Sequence, residues 1–196
     1  MGIKDKWNAR YREADHSRPI AAAVISENLH LLPESGSALD LACGLGGNAL
    51  LLAERGLDVQ AWDISDVAIQ NLSKRATEDG LSVKAQVCDI ESETLPADTF
   101  DVITVSYYLD RNLFSALMAA LRPGGLIFYQ TFSQMAVTQR GPANPVYRLA
   151  KQELLQAFSS LDVILFREES TLGDTQSGYR DEAMFIGCRP DNLNEA

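Results

Sequence analysis

The fold of this chain is built around one stretch, Ala38-Leu39-Asp40-Leu41-Ala42-Cys43-Gly44-Leu45-Gly46-Gly47-Asn48-Ala49. It reads as a short apolar strand, a glycine turn and the start of a helix near Asn48. Gly44 and Gly46 lack a Cβ atom, so the turn can adopt backbone angles closed to other residues and a ligand can lie against the main chain. The unpaired N–H groups of the following helix point to the same spot, which indicates a nucleotide site. Alone, Gly44-x-Gly46-x-x-Ala49 also fits a dinucleotide fingerprint.

The composition indicates a single acidic globular domain. The chain has 196 residues, of which 46% are hydrophobic, and this is enough for one continuous core. The formal net charge of −10, with no run rich in lysine or arginine, would repel a phosphate backbone, so we expect no nucleic-acid partner. No apolar run approaches the roughly 18 residues of a membrane span, which predicts a cytoplasmic protein without a membrane segment. The three cysteines are far apart and indicate neither a disulfide framework nor a metal site.

The order of predicted elements indicates an α/β fold with a doubly wound, Rossmann-like sheet. The predicted strands are 37–42, 57–62, 82–88, 100–106, 126–132, 162–166 and 183–188. The fourth strand is almost purely apolar, which is typical of a parallel strand with both faces covered. No helical period separates the last two strands, so we expect a C-terminal antiparallel hairpin on an otherwise mostly parallel, seven-stranded sheet.

Helices are predicted between these strands, within one domain over residues 1–196. The predicted helices are 20–32, 48–55, 65–80 (with Ser65 as its N-cap), 112–121 and 151–158. Residues 133–148 read as an exposed loop that is too long to be a simple connector. We therefore expect an N-terminal helical cap over 1–33, a cofactor-binding core over 34–132, and an acceptor-side loop, short helix and hairpin over 133–196.

Three acidic residues are candidates for ligand contacts. Two of them close predicted strands, and the third lies inside the strand before the glycine turn. Doubly wound sheets bind ligands at the carboxyl ends of their strands. Asp63 closes the second strand, where a carboxylate can accept both hydroxyls of an adenosine ribose, although a surface residue capping the next helix would give the same pattern. Asp40 lies inside the first strand, so it needs a cationic partner such as an amino-acid ammonium group, or the N–H groups of the turn, or both. Asp89 closes the third strand, either as an adenine contact or as a turn residue.

Taken together, these residues resemble those of the class I S-adenosylmethionine-dependent methyltransferases. The resemblance rests on Leu39-Asp40-Leu41-Ala42-Cys43-Gly44-Leu45-Gly46, on Asp63, on Asp89-Ile90, and on Leu121-Arg122-Pro123-Gly124-Gly125 before the fifth strand. It spans roughly residues 35 to 132. A looser similarity to the tellurite-resistance and thiopurine-type small-molecule branch rests on Trp7-x-x-x-Tyr11 and on Arg140-Gly141-Pro142-x-Asn144-Pro145.

The resemblance implies S-adenosylmethionine as cofactor, no metal, and a set of residues around the glycine turn. The implied cofactor-binding residues are Trp7, Tyr11, Arg18, Asp40, Cys43, Gly44, Gly46, Asp63, Ile64, Asp89, Ile90 and Ser106. Among these, Asp40 would face the ammonium group of the cofactor, Asp63 its ribose, and Asp89 its adenine. Trp7 and Tyr11 would either close the site as a lid or anchor the N-terminal segment to the core.

The acceptor side of the site is specified less closely. Tyr107 follows the fourth strand, where acceptor groups commonly lie in this fold, and Arg140 in the long loop could neutralise an anionic acceptor; these are the candidate catalytic residues. Arg148 and Arg18 could act in the same way, and each arginine also reads as a surface charge. His16 could accept a proton, or could simply be exposed to solvent. A soft anion such as a thiolate or a chalcogen oxyanion would need no strong base.

The predicted function is methyl transfer from S-adenosylmethionine to a small-molecule acceptor, by a monomer or a weak homodimer. The sequence has no Asn/Asp-Pro-Pro-Tyr run of the kind used by enzymes that methylate nucleic-acid amines. Two alternatives stay open. A non-catalytic module that binds S-adenosylmethionine would keep every cofactor residue. A nicotinamide-dependent oxidoreductase would share the glycine turn and Asp63 but would leave Asp40, Asp89 and the Arg-Pro-Gly-Gly turn unexplained.

Overall fold

The fold is a single seven-stranded sheet with helices on both faces, seen in a computed structural model that describes residues 2–14 and 18–191. The strands are β1 Ser37–Leu41, β2 Asp58–Asp63, β3 Val83–Val87, β4 Phe100–Ser106, β5 Leu121–Phe132, β6 Asp162–Arg167 and β7 Glu182–Cys188. Their order in the sheet is β3-β2-β1-β4-β5-β7-β6. Strands β1 to β5 pair in parallel, whereas β7 is antiparallel to both β5 and β6. The predicted doubly wound sheet with a terminal antiparallel hairpin is confirmed.

The helices that cover the sheet are short, apart from α4. They are α1 Ile3–Arg12, α2 Ala23–Ser26, α3 Gly47–Glu54, α4 Asp66–Glu78, α5 Phe114–Ala120 and α6 Glu153–Ala157. Ser65 caps α4 as predicted, because its hydroxyl oxygen accepts the Ala68 N–H at 3.2 Å. Within the described residues, no helix combines the length and the apolar character needed to cross a membrane.

The hydrophobic core lies in two layers, one on each face of the sheet. Strand β4 shows how the sequence builds both, because its successive side chains alternate between the layers. Ile103 and Val105 pack in one layer with Tyr129, while Val102 packs in the other with Phe128; the alternation begins after a register shift between Phe100 and Val102. The almost purely apolar composition of β4 therefore reflects burial on both faces, as expected for a central parallel strand.

The helix predicted over 20–32 is wrong. The structure has the four-residue helix α2 and a single 3₁₀ turn at Leu29–Leu31, and the side chain of Ile20 is 93% exposed. Two backbone N–H groups at the start of α2 are satisfied by distant side chains. The Ala22 N–H donates to Asn48 Oδ1 at 2.9 Å, and the Val24 N–H donates to Gln130 Oε1 at 2.8 Å. These contacts fix residues 22–24 on the carboxyl edge of the sheet.

Candidate active site

The glycine turn lies at the carboxyl end of β1 and admits only glycine at two positions. Gly44 and Gly46 have φ angles of 53° and 84°, in the left-handed region that side chains disfavour. A Cβ atom at Gly46 would lie 2.3 Å from Leu72 Cδ1, and one at Gly44 would lie 2.8 Å from Tyr11 Oη. The predicted turn is confirmed, and its surface is covered on the Gly44 side by the N-terminal helix.

Asp40 is buried beneath this turn and accepts three hydrogen bonds. Its Oδ1 atom accepts hydrogen bonds from Thr104 Oγ1 at 2.8 Å and Asn48 Nδ2 at 3.2 Å, while Oδ2 accepts the Ala49 N–H at 3.1 Å. Burial raises the pKa of Asp40 to about 6, although these three hydrogen bonds lower it in part. Asp40 thus holds the first turn of α3, as one of the two interpretations expected, and its contact with a cofactor ammonium group stays a prediction.

Asn48 connects Asp40 to the end of β4. The Asn48 Nδ2 atom lies 3.0 Å from Ser106 Oγ as well as 3.2 Å from Asp40 Oδ1, and its Oδ1 atom holds the Ala22 N–H. One amide side chain therefore links the first turn of α3, the N-terminal segment and Ser106, one of the implied cofactor-binding residues.

Asp40 is expected to make stability fall as the pH rises from about 4 to 7. Because its pKa is raised from 3.8 to about 6 on folding, the folded protein binds the proton more tightly, so the stabilisation present below pH 4 is lost as the pH passes 6. The shift corresponds to about 2–3 kcal/mol. The Asp40→Asn variant cannot ionise, so the unfolding free energy of wild type minus that of the variant, measured in urea, should become more negative by this amount between pH 4 and pH 7. A difference independent of pH would show that Asp40 titrates normally in the folded protein.

Asp63 ties the end of β2 to the glycine turn. Its Oδ2 atom accepts the Gly44 N–H at 2.8 Å, and its Oδ1 atom accepts the Ser65 N–H at 2.8 Å. Burial raises the pKa of this carboxyl, and the two hydrogen bonds offset part of the rise. Asp63 is buried, so the alternative of a surface capping residue is wrong. Each oxygen retains a further lone pair, so the ribose contact stays a prediction.

The other residues predicted around the cofactor differ in exposure. Asp89 is exposed after β3, while Ile90 is buried and Ile64 is partly buried. The carboxyl ends of β2 and β3 meet here, since the Cys88 N–H donates to the Asp63 carbonyl at 2.9 Å. The pKa of the Cys43 thiol is raised well above its usual value by burial and by the nearby carboxylates, so this thiol stays protonated.

Helix α1 lies over the glycine turn. The rings of Trp7 and Tyr11 stack with centroids 5.8 Å apart, and the Tyr11 hydroxyl lies over Gly44. Burial raises the pKa of this hydroxyl. Asn8 fixes the helix to the start of α4, because its Oδ1 accepts the Ser65 hydroxyl at 2.6 Å. The structure therefore brings Trp7 and Tyr11 to the predicted site. His16 lies outside the described residues.

Arg18 is not brought to the glycine turn. Its guanidinium forms an exposed ion pair with Glu54, the last residue of α3. The glycine turn adjoins the opposite end of that helix, about 10 Å away at 1.5 Å per residue. The predicted cofactor contact of Arg18 is therefore not supported by its position, because its charge is used at the far end of α3.

A polar cluster occupies the acceptor side of the sheet edge, and we call it the acceptor cluster. Its members are Tyr107, Gln130, Phe132, Arg140 and Glu182. The Tyr107 hydroxyl donates to Glu182 Oε2 at 3.3 Å and accepts from Gln130 Nε2 at 3.2 Å, and Gln130 Nε2 also donates to Glu182. The Arg140 guanidinium lies 5.8 Å from the Tyr107 ring centroid and 5.7 Å from that of Phe132, with its Nη1 atom 2.6 Å from Glu182 Oε1. Both predicted catalytic residues thus meet here.

Arg148 is a buried structural residue, so its interpretation as a surface charge is wrong. Its guanidinium donates to the carbonyl oxygens of Pro142 at 2.8 Å and Ser133 at 3.0 Å, and also to that of Arg140. The same group stacks over the Phe132 ring at 5.7 Å. Arg148 therefore holds the loop 133–148 from within and is not placed to neutralise a substrate.

Four residues of the site were missed by the sequence reasoning: Asn48, Thr104, Gln130 and Glu182. Each is a polar residue in or beside a strongly apolar element, which is a signal that could have been used. Glu182 directly precedes the apolar run of β7, and Thr104 interrupts the apolar run of β4. Buried polar side chains in such places need partners, and here the partners are the predicted site residues.

Residues 38–125 match the family model described as a methyltransferase domain. The matched region contains the glycine turn, Asp40, Asp63 and Asp89, and it extends over strands β1 to β4 into the start of β5.

Two curated relatives and one solved structure show the range of similar proteins. The chain is 27% identical over 138 residues to a ubiquinone biosynthesis O-methyltransferase of Coxiella burnetii, covering 67% of this chain and 58% of the relative. It is 33% identical over 162 residues to the ubiquinone/menaquinone biosynthesis C-methyltransferase UbiE of Bordetella parapertussis, covering 78% and 57%. The chain thus spans less than two thirds of either relative.

The solved structure concerns the conversion of a disulfide bond into a thioacetal group during echinomycin biosynthesis. It aligns with a TM-score of 0.71 at 22% identity, over 98% of this chain and 94% of that chain. At this identity the likeness shows the fold. The comparisons do not confirm the predicted similarity to the tellurite-resistance and thiopurine-type branch.

The residues present fit S-adenosylmethionine. The Asp63 carboxylate is buried beside the glycine turn, and each of its oxygens keeps a lone pair that a ribose hydroxyl could use. Asp40, Asp63 and Asp89 lie in or directly after β1, β2 and β3, which are neighbours in the sheet. Among residues 2–14 and 18–191, no group of three or more histidine, cysteine or acidic side chains is placed to hold a metal ion.

Proposed function

We propose that this protein transfers a methyl group from S-adenosylmethionine to a small-molecule acceptor. The observation that carries the proposal is the arrangement of Asp40, Asp63 and Asp89 around a glycine turn, within the part of the chain that matches a methyltransferase domain. The acceptor would bind between α1 and the loop 133–148, above Ser106 and Tyr107.

The residues of the chain would act mainly by positioning. The cofactor supplies an electrophilic methyl group on a positively charged sulfur, so a nucleophile held in line needs little further assistance. Asp40 and Asn48 fix the turn and Ser106, while Asp63 fixes the backbone of Gly44. Trp7 and Tyr11 would exclude water from above the turn.

Binding of the cofactor tests this proposal directly. We expect S-adenosylmethionine and S-adenosylhomocysteine to bind with low micromolar affinity or better, about 7–9 kcal/mol, and to raise the melting temperature. Isothermal titration calorimetry would measure both, with NADH as the control ligand. Binding of NADH alone would favour the oxidoreductase alternative. Cofactor binding with no formation of S-adenosylhomocysteine across a panel of thiols, selenite, tellurite, phenols and amines would favour the non-catalytic module.

One candidate acceptor class is a soft or anionic nucleophile, such as a thiolate or a chalcogen oxyanion. It is supported by Arg140, which is exposed at the acceptor cluster and stacks on two aromatic rings. It is weakened by the ion pair with Glu182, which already balances the charge of Arg140, and by the structural role of Arg148.

Replacement of Arg140 by alanine tests the anionic class. If Arg140 binds the acceptor, Arg140→Ala should raise the KM of an anionic acceptor about two- to fivefold, because an exposed ion pair contributes about 0.5–1 kcal/mol, and should change the KM of neutral acceptors less. Arg55→Ala, an exposed arginine at the far end of α3, is the control. Equal effects on anionic and neutral acceptors would exclude Arg140 as the anion-binding group.

A second candidate class is a neutral acceptor that is methylated on oxygen. The observation that favours it is the buried Glu182 carboxylate beneath Tyr107, since an acidic oxygen acceptor has to lose a proton. The Coxiella burnetii relative is named an O-methyltransferase, which agrees with this class.

A further inference from the structure

The carboxylate of Glu182 lies beneath the proposed acceptor position, and the polar side chains that hold it are Tyr107, Gln130 and Arg140. Glu182 is 2% exposed, and its Oε2 atom is held by Tyr107 and Gln130. Its Oε1 atom forms an ion pair with Arg140 Nη1 at 2.6 Å. A buried carboxylate is costly unless it is partnered, and here its partners are three polar side chains of the acceptor cluster.

The backbone that places this pair is strained on both sides. Tyr107 has a φ angle of 58°, and Asp181, directly before Glu182, has a φ angle of 66°. Left-handed backbone is uncommon for side chains other than glycine and concentrates at functional sites. Asp181 is also fixed, because its carboxylate accepts the N–H groups of Val137 and Thr138 in the loop 133–148. The strained positions therefore aim the Tyr107 hydroxyl and the Glu182 carboxylate at each other.

The hydrogen bonds of Tyr107 have a defined direction. Its hydroxyl donates to Glu182 Oε2 and accepts from Gln130 Nε2, and its remaining lone pair faces the exposed Arg140 guanidinium, which an arriving donor would have to displace. The Tyr107 side chain is the exposed member of the pair, since the residue is 42% exposed. A donor arriving from the acceptor side would therefore meet Tyr107 Oη before it met Glu182.

The charges of the acceptor cluster favour a neutral donor over an anion. Arg140 and Glu182 together carry no net charge, and an anion at Arg140 would also feel the carboxylate behind it. A hydroxyl group would instead donate its proton to Tyr107 Oη without adding charge to the cluster.

We propose that Tyr107 and Glu182 form a proton-accepting pair for an acceptor hydroxyl, an inference that rests on the proposed methyl transfer. As the acceptor oxygen gains the methyl group, its proton passes to Tyr107 Oη and the proton of Tyr107 passes to Glu182 Oε2. The electron pair of the broken carbon–sulfur bond stays on sulfur, which loses its positive charge, and Glu182 later releases the proton to water. Tyr107 is the catalytic residue, and Glu182 acts through it as a positioning residue.

The test compares two acceptors and two tyrosine variants. Catechol keeps its hydroxyl protons at neutral pH, whereas 4-nitrothiophenol is already ionised and needs no proton acceptor. We expect Tyr107→Phe to lower kcat with catechol about 100-fold and to change kcat with 4-nitrothiophenol less than threefold. The matched control is Tyr179→Phe, because the Tyr179 hydroxyl also donates to a glutamate, Glu27, which is not a member of the acceptor cluster, and both rates should be unchanged.

A binding measurement gives a readout that is independent of turnover. Calorimetry should show that wild type binds catechol at least tenfold more tightly than its dimethyl ether, which has no O–H group, and that Tyr107→Phe abolishes this preference. Glu182→Gln should reduce both the preference for catechol and the rate of its methylation. If Glu182→Gln does not fold, Tyr107→Phe still tests the inference, because it removes only one oxygen atom.

Three results would overturn the inference. The first is an equal loss of kcat with both acceptors in Tyr107→Phe. The second is no loss of kcat with catechol in that variant. The third is that wild type neither prefers catechol to its dimethyl ether nor methylates catechol. Failure to bind S-adenosylmethionine would instead overturn the proposed function.

Discussion

Replacement of Asp63 by alanine is expected to weaken S-adenosylmethionine binding by about 2–4 kcal/mol, or about 30- to 1000-fold, because two charge-assisted hydrogen bonds to the ribose would be lost. The structure adds a second consequence. The carboxylate also accepts the N–H groups of Gly44 and Ser65, so the free energy of unfolding should fall by about 1–3 kcal/mol. Because Asp63 is buried, its replacement affects folding as well as cofactor binding. Calorimetry and urea unfolding measure the two effects.

The control for Asp63 is an aspartate that also accepts a backbone N–H but lies at the amino ends of the parallel strands, opposite the glycine turn. Asp101, near the start of β4, accepts the Ser37 N–H at 2.7 Å and pairs with Arg122 at 2.7 Å. Asp101→Ala should therefore lower stability without changing cofactor affinity. If Asp63→Ala and Asp101→Ala weakened cofactor binding equally, the loss would reflect general destabilisation and the ribose contact would be excluded.

Gly46→Ala is expected to destabilise the protein by about 2–5 kcal/mol. A φ angle of 84° costs a residue with a Cβ atom about 1–2 kcal/mol, and the new methyl group would lie 2.3 Å from a methyl carbon of the fully buried Leu72, which adds about 1–3 kcal/mol. Urea or thermal unfolding measures the loss. Cofactor affinity should fall as well, because the turn has to shift.

Gly80 provides the matched control for Gly46. Its φ angle is 66°, but a Cβ atom there would meet nothing within 4 Å, so Gly80→Ala should lose only the backbone term of about 1–2 kcal/mol. The difference between the two variants isolates the packing against Leu72. Equal losses in both variants would show that Leu72 moves aside without cost.

The sequence predicts those elements whose signals are local. Helix α4 begins after Ser65 and ends before Gly80 because its cap and its stop are adjacent to it in the chain. The terminal hairpin follows equally from the polar stretch between two apolar runs. The glycine turn also belongs to this group, since its backbone requirement is carried by Gly44 and Gly46 themselves.

The features that the sequence does not predict depend on partners far along the chain. Residues 20–32 fail to form one helix where the N–H groups of Ala22 and Val24 find acceptors 26 and 106 residues away. Glu182 gains its importance in the same way. The antiparallel placement of β7 brings it next to Tyr107, which is 75 residues earlier. No local pattern reports such a distance.

The buried Arg148 has a consequence for substrate selection. A free loop that closes on its substrate loses about 1–2 kcal/mol of conformational entropy for each residue that becomes ordered. The loop 133–148 is already ordered by the three carbonyl contacts of Arg148, so this loss falls on folding and not on substrate binding. The protein would then select substrates by shape, because a rigid site excludes molecules that do not fit it. Exchanging the exposed part of the loop while keeping Arg148 should accordingly change which substrates are accepted.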